Sequence, residues 1–201
     1  MSLIIKTMKH TQQFSIIEVM IGIFIFTIGF LSIYALLLST FGLNRYSQNS
    51  LVASHLAREG IELVRNIRDN NFKDMYLWNK LPGGAVDDFF KLDTPYTIEN
   101  NFVPSSTGDV ILKEIVDFEE SEMMRKMISY ELCLTAEHLY TYDCTTSVPK
   151  AKFWRYIRFS PVIDDGTQVQ GAMRLTSKVI WYDTRYNEVS IDTILTDFLR
   201  R

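Results

Sequence analysis

The sequence predicts an α+β protein. One long N-terminal helix, apolar in its first half and amphipathic in its second, packs on an antiparallel β-sheet. Three observations carry this. Phe14 to Leu43 is a run of 30 residues with a single charge, Glu18. From Ala53 to Ile67 apolar residues recur every three or four positions, the period of one helix face. Beyond residue 93, strand-like runs alternate with turn residues. A chain of 201 residues is expected to make one globular domain with an appendage. Its parts are a leader over 1–13, an apolar helix over 14–43, an amphipathic continuation over 44–72 and a β-rich head over 73–201.

Composition narrows the function classes. Hydrophobic residues make up 47% and charged residues 22%, which excludes a disordered or acidic tail protein. The net charge of −3 leaves no basic excess to neutralise phosphates, so no direct nucleic-acid partner is predicted. Two cysteines exclude a disulfide-dense mini-protein and a four-cysteine zinc site.

The leader MSLIIKTMKHTQQ carries Lys6 and Lys9 and no acid. The apolar run behind it exceeds the 18 residues or so that suggest a membrane span. As a helix it is about 45 Å long at 1.5 Å per residue, against a bilayer core of about 30 Å. Either it tilts steeply or protein covers part of it. It is too long for the 7–15-residue apolar core of an ordinary secretory signal, and Thr40-Phe41-Gly42 is a weak cleavage match. Residues 44–201 hold 19 Lys+Arg against 23 Asp+Glu, a net of −4. This asymmetry places the leader in the cytoplasm and the head outside, on a single-pass protein of the membrane.

Past the span, Ala53, Leu56, Ala57, Gly60, Leu63, Val64 and Ile67 form one stripe. Gly60 on that stripe suggests close approach of a sheet. Arg58/Glu62 and Arg65/Asp69 are spaced as i,i+4 ion pairs, and Asp69-Asn70-Asn71 ends the helix. From 72 to 110 the pattern is irregular, with loop signals at Pro82-Gly83-Gly84 and from Pro104 to Gly108. Strands are expected over Thr94–Glu99, Val110–Phe118, Met127–Thr135, Phe153–Ile163, Gly171–Tyr182 and Glu188–Thr196. Asp164-Asp165-Gly166 reads as a turn between two of them. Along the fifth, Met173, Leu175, Ser177, Val179 and Trp181 alternate with Arg174, Thr176, Lys178, Ile180 and Tyr182, a half-buried strand. Cys133 and Cys144 lie in the outside region across a loop short enough to bridge. A disulfide there is expected to stabilise by about 3 kcal/mol in the chain-entropy model.

No catalytic constellation stands out, and no enzyme activity, metal or cofactor is called for. His10, His55 and His138 are scattered without zinc spacing. Asp87-Asp88 and Asp164-Asp165 read as solvated loop acids. The sequence holds no GxSxG, P-loop, Rossmann or HExxH pattern. The aromatics Phe153, Trp154, Tyr156, Trp181 and Tyr182 read as core and cross-strand pairs rather than a stacking platform.

Phe14-Ser15-Ile16-Ile17-Glu18-Val19, behind a short basic leader and ahead of the long apolar run, resembles the processing and methylation motif of type IV prepilins. Leu56-Ala57-Arg58-Glu59-Gly60-Ile61-Glu62-Leu63-Val64-Arg65-Asn66-Ile67-Arg68-Asp69 resembles the second helix half of PilV-type minor pilins. Phe153-Trp154-Arg155-Tyr156-Ile157 and the stretch from Val179-Ile180-Trp181 to Leu195-Thr196-Asp197-Phe198-Leu199 resemble their later strands. The resemblance implies cleavage between Gln13 and Phe14 by a prepilin peptidase and N-methylation of Phe14. The family's leader ends in Gly, where this chain has Gln13. A start at Met8 would give a six-residue leader, MKHTQQ, a usual length for the family. Glu18 costs about 2.5–3.5 kcal/mol at the centre of a spanning helix. It either snorkels to the nearby interface or, as the resemblance implies, pairs with the freed Phe14 amine of a neighbouring subunit and sets assembly register.

Two functions follow. One is a minor pilin or pseudopilin, a structural subunit of a type IV pilus or related filament. Its partners would be membrane lipid, other pilin subunits through helix–helix packing, the prepilin peptidase and an inner-membrane assembly platform. It would begin in the bacterial inner membrane and end in a pilus at the cell surface. The other is a monomeric, signal-anchored extracytoplasmic binding or sensor domain.

Overall fold

The computed structural model describes residues 15–85, 88–101, 109–116, 130–135, 139–142, 144, 150–183 and 185–198. The chain is α+β, with a long N-terminal helix packed on a curled antiparallel sheet. It divides into two compact units, Met1–Arg45 and Tyr46–Arg201. Helix α1 is Ile16–Lys73, 58 residues. The strands are β1 (Pro95–Asn101), β2 (Asp109–Glu114), β3 (Glu131–Leu134), β4 (Tyr140–Thr141), β5 (Lys150–Asp164), β6 (Thr167–Tyr182) and β7 (Tyr186–Thr196).

β5 is the spine of the head. Along one side it pairs with β6 from Phe153↔Trp181 to Asp164↔Thr167. Its other side is shared. β1 takes Arg158 and Ile157 through Pro95 and Tyr96; β3 takes Trp154 and Lys150 through Glu131 and Cys133. β2 extends the sheet beyond β1, β4 beyond β3 and β7 beyond β6, all antiparallel. Asp165 and Gly166 have φ of 49° and 76°, so the β5–β6 hairpin turns on two left-handed residues. That is the two-residue connection whose twist matches its strands, and Asp-Gly is among its preferred pairs.

The helix stripe packs where its period places it. Ala53, Leu56, Ala57, Gly60, Ile61, Val64 and Ile67 are buried. Ile61, Val64 and Ile67 meet Ile98, Ile157, Phe159, Leu175 and Leu195. Ala53, Leu56 and Ala57 meet Leu132, Phe153, Val179 and Trp181. Each fully buried large side chain is worth about 1.5–3 kcal/mol. β6 departs from simple alternation, because Ile180 is buried on the outer face with Ile115 and Tyr156.

The helix ends later than the asparagines suggest. Tyr76 N–H donates to Asn71 O (2.8 Å) and Met75 N–H to Phe72 O (3.3 Å), with Met75 left-handed at φ 59°. This is a Schellman cap with methionine where glycine is usual. The Asn71 carbonyl accepts in that cap, while its side chain is buried rather than stopping the helix at 71. Its amide donates to Trp78 O (3.2 Å) and Lys80 O (2.8 Å), pinning the returning loop. The surface ion pairs are also re-matched: Arg65 pairs with Glu62 and Arg68 with Asp69. The expected strand over Met127–Thr135 is shorter, Glu131–Leu134, and 127–129 lie outside the described residues. β4, only two residues long, has no counterpart among the predicted strands.

The structure carries the Cys133–Cys144 disulfide, with Cα atoms 5.5 Å apart. It ties β3, through buried Cys133, to the chain just past β4. Replacing both cysteines by alanine is expected to lower unfolding free energy by about 3 kcal/mol. Reduced wild-type protein should unfold at the denaturant midpoint of that variant, and equal midpoints for oxidised and reduced protein would contradict the expectation.

Gly60 gives the second prediction of the fold. A Cβ built there would lie 2.7 Å from Ser177 Oγ and 3.5 Å from Arg155 Cδ. Gly60→Val should therefore cost at least about 2 kcal/mol through overpacking. Gly60→Ala combined with Ser177→Ala should recover most of the loss of Gly60→Ala alone, because alanine otherwise favours the helix by about 1 kcal/mol. A thermal-melt double-mutant cycle with no coupling would refute the close approach.

Candidate assembly helix and the clasp of the head

The N-terminal half of α1 is the first candidate. α1 is long and apolar enough to cross a membrane. Every residue from Ile16 to Leu43 is exposed within the chain. A helix satisfies its own backbone, so only its side chains must suit an apolar solvent. Most of them are apolar, and three of the hydroxyls, those of Thr27, Ser32 and Thr40, donate to the carbonyls of Ile23, Ile28 and Leu36 at 2.7, 2.9 and 2.9 Å. No hydroxyl of the three is left to seek water.

Glu18 stands in the first turn and is exposed. Ser15 O accepts from the Glu18 and Val19 N–H groups at 3.0 and 3.2 Å. Ser15 is thus the N-cap and Glu18 the third helical residue, the Ser-x-x-Glu spacing of a capping box. A carboxylate there also complements the positive end of the helix dipole. Glu18 has no ion-pair partner among the described residues. Gln13 and Phe14, the expected cleavage and methylation residues, lie outside the described residues.

The sequence reading missed one pattern on this helix. Glu18, Gly22, Ile25, Gly29, Ser32 and Leu36 are spaced 4-3-4-3-4, so they line one face at 3.6 residues per turn. Phe24, Phe30, Tyr34 and Phe41 fall on other faces. A Cβ at Gly22 or Gly29 would meet nothing within 4 Å. Each glycine costs the helix about 1 kcal/mol against alanine, and nothing in the chain's own packing requires it. Small residues on one line are what let apolar helices approach closely.

The second candidate is a polar clasp inside the head. Past Tyr96, β1 no longer pairs with β5, and the gap beside β3 and β4 is closed by side chains. Arg155, 1% exposed, projects from β5 into it. Its guanidinium donates to Leu56 O on α1 (3.1 Å), to Glu59 Oε2 (2.9 Å) and to Ile98 O on β1 (2.6 Å). Tyr142 Oη donates to Arg155 O at 2.7 Å. Glu99 Oε2 accepts from Thr141 Oγ1 and Tyr142 N–H, both at 3.1 Å. Burial works against the charge on Arg155, yet the neighbouring Tyr142 and Glu59 hold its pKa above the ordinary arginine value. Burial pushes the Tyr142 hydroxyl up. Every one of these groups binds another part of the same chain, so the clasp is structural. Arg155 was legible only as a lone cation in the run Phe153–Ile157. Among the described residues no cluster of His, Cys, Asp or Glu could hold a metal ion.

Removing one member of a buried pair is far costlier than removing an exposed one. Arg155→Met is expected to cost about 3–5 kcal/mol. The Glu59 side chain is 43% exposed, but Glu59→Gln leaves the buried Arg155 guanidinium without its carboxylate, so it should cost about 1.5–3 kcal/mol, less than Arg155→Met. Urea midpoints measure both, and a similar small loss for the two variants would remove Arg155 from its central place.

No protein-family model, no curated protein and no solved structure matches this chain.

Proposed function

We propose that this chain is a minor pilin or pseudopilin. It is a structural subunit, held in the bacterial inner membrane by its N-terminal helix with the head outside, and then assembled into a filament through that helix. The observation that carries the reading is the line of Glu18, Gly22, Ile25, Gly29 and Ser32 on a helix whose other faces are bulky and apolar. Lipid alone gives no reason to place the only carboxylate and two glycines along one line. A neighbouring helix does: small residues admit its backbone, and an ionised Glu18 there needs a cationic partner. The free amine of Phe14, exposed by removal of the leader, has the right charge and lies within one turn of Glu18 in sequence. A disulfide in the head fits a compartment outside the cytoplasm. The resemblance of Phe14–Val19 to the prepilin motif supplies the peptidase and the methylation of Phe14.

A second reading, a permanently anchored monomeric binding or sensor domain, is favoured by Gln13 where the family has Gly. An uncleaved leader keeps Lys6 and Lys9 on the cytoplasmic side. Each costs about 2.5–3.5 kcal/mol if dragged to the hydrocarbon centre, which resists extraction of the helix into a filament.

Glu18→Ala and Gly29→Leu should both insert normally and both fail to enter filaments, the first for lack of the ion pair and the second for lack of close approach. N-terminal sequencing of membrane-extracted protein should begin at Phe14, and Gln13→Gly should speed that processing. Only intact leader, even with the peptidase overproduced, would replace the filament reading with the anchored one.

A further inference from the structure

β7 is used on one side only. Among the described residues it pairs with β6 alone, in unbroken register from Ala172↔Thr196 to Tyr182↔Tyr186. It is 11 residues long, whereas the other outer strands, β2 and β4, have 6 and 2. Proteins blunt exposed edges by making them short, by bulges, or by placing proline or lysine on them. β7 has no bulge against β6, no proline, no lysine and no arginine. A long edge in unbroken register is a template for another strand.

The chemistry around the edge selects the strand. The only charges of β7 are Glu188 and Asp192, four apart and on one face, both exposed. Lys178 on β6 engages Glu188 at 2.8 Å; Asp192 has no ion-pair partner among the described residues. On the opposite face an open trough of about 410 Å³ runs between β7 and α1, floored by Ile61 and Ile191 and rimmed on the helix side by Arg58, Glu62 and Arg65, of which Arg65 already engages Glu62 and Thr193; the acids of β7 are therefore the charges that an added strand meets on the outer face. An added strand would set one row of side chains over that apolar floor and the other beside the two acids. A second copy of β7 laid antiparallel over its full length would bring Asp192 diagonal to Glu188 and Asp192 of its partner, a like-charge arrangement. Charge complementarity thus disfavours self-pairing and favours a basic strand.

We propose that β7 is a docking edge for an extended segment of another protein, one carrying two basic side chains four residues apart on one face and apolar side chains on the other. The segment completes the sheet by strand addition. This surface does not depend on how the N-terminal half of α1 is used.

The test uses the full chain in detergent micelles. The probe is a nine-residue peptide alternating threonine and valine, with lysine at its third and seventh positions. Hydrogen exchange of the β7 amides should slow by about tenfold or more at saturating peptide, as paired edge amides do. Glutamate at both lysine positions should weaken binding by about tenfold or more. N-methylation of alternate peptide nitrogens should abolish the protection, since it removes the strand's donors. The double variant Glu188→Lys/Asp192→Lys, folded by circular dichroism, should reverse the preference for lysine over glutamate. The proposal is overturned if the lysine peptide leaves β7 exchange unchanged, or if the N-methylated peptide protects equally. It is also overturned if β7 is protected without peptide in proportion to protein concentration, which would assign the edge to a second copy.

Discussion

The head is organised around one buried cation. Arg155 is shut away from water, and a guanidinium in that position must be surrounded by acceptors or it unfolds its host. The fold provides them from three directions: a helix carbonyl, a carboxylate one turn beyond it, and a strand carbonyl. Those acceptors can converge only if α1 lies close to the sheet. Gly60 makes that approach possible, with Ser177 and the Arg155 stem filling the space a side chain would take. The same cation spans the place where β1 leaves β5. Helix, sheet and the split between two groups of strands are thus joined at one residue, while the apolar clusters on either side supply most of the burial.

Much of this was written in local patterns. The helix stripe, the antiparallel strands and the Asp-Gly hairpin follow from periodicity and turn chemistry, and the long partners β5 and β6 were read nearly whole. What escaped has identifiable causes. β4 is too short to show a period and exists because the disulfide and Glu99 hold it. The true end of α1 escapes because Asn70-Asn71 looks like a stop, whereas the Asn71 side chain turns inward and a methionine accepts the left-handed cap. Ion pairs chosen by i,i+4 spacing lost to alternatives at one and three residues, as expected where each is worth only tenths of a kcal/mol. Alternation puts Ile180 on the wet face, because a two-fold period cannot foresee a second small cluster behind the sheet. Of the candidate site, Glu18 was visible as an isolated charge. The glycine and serine line beside it, and Arg155, were present in the sequence but acquire meaning only when a helix face or a buried environment is specified.

Three hydroxyls of the apolar half-helix bear on which surroundings it can occupy. Thr27, Ser32 and Thr40 are each committed to the carbonyl four residues back. Moving this segment between two water-free surroundings, hydrocarbon or the flank of another apolar helix, therefore breaks no hydrogen bond of theirs and forms none. For these three groups the two surroundings are alike, and what distinguishes them is van der Waals fit, the pairing of Glu18 and the hydroxyls of Tyr34 and Ser39. The contrast between hydrocarbon and a neighbouring helix therefore falls on a handful of positions: Glu18, those two hydroxyls and the two glycines, Gly22 and Gly29.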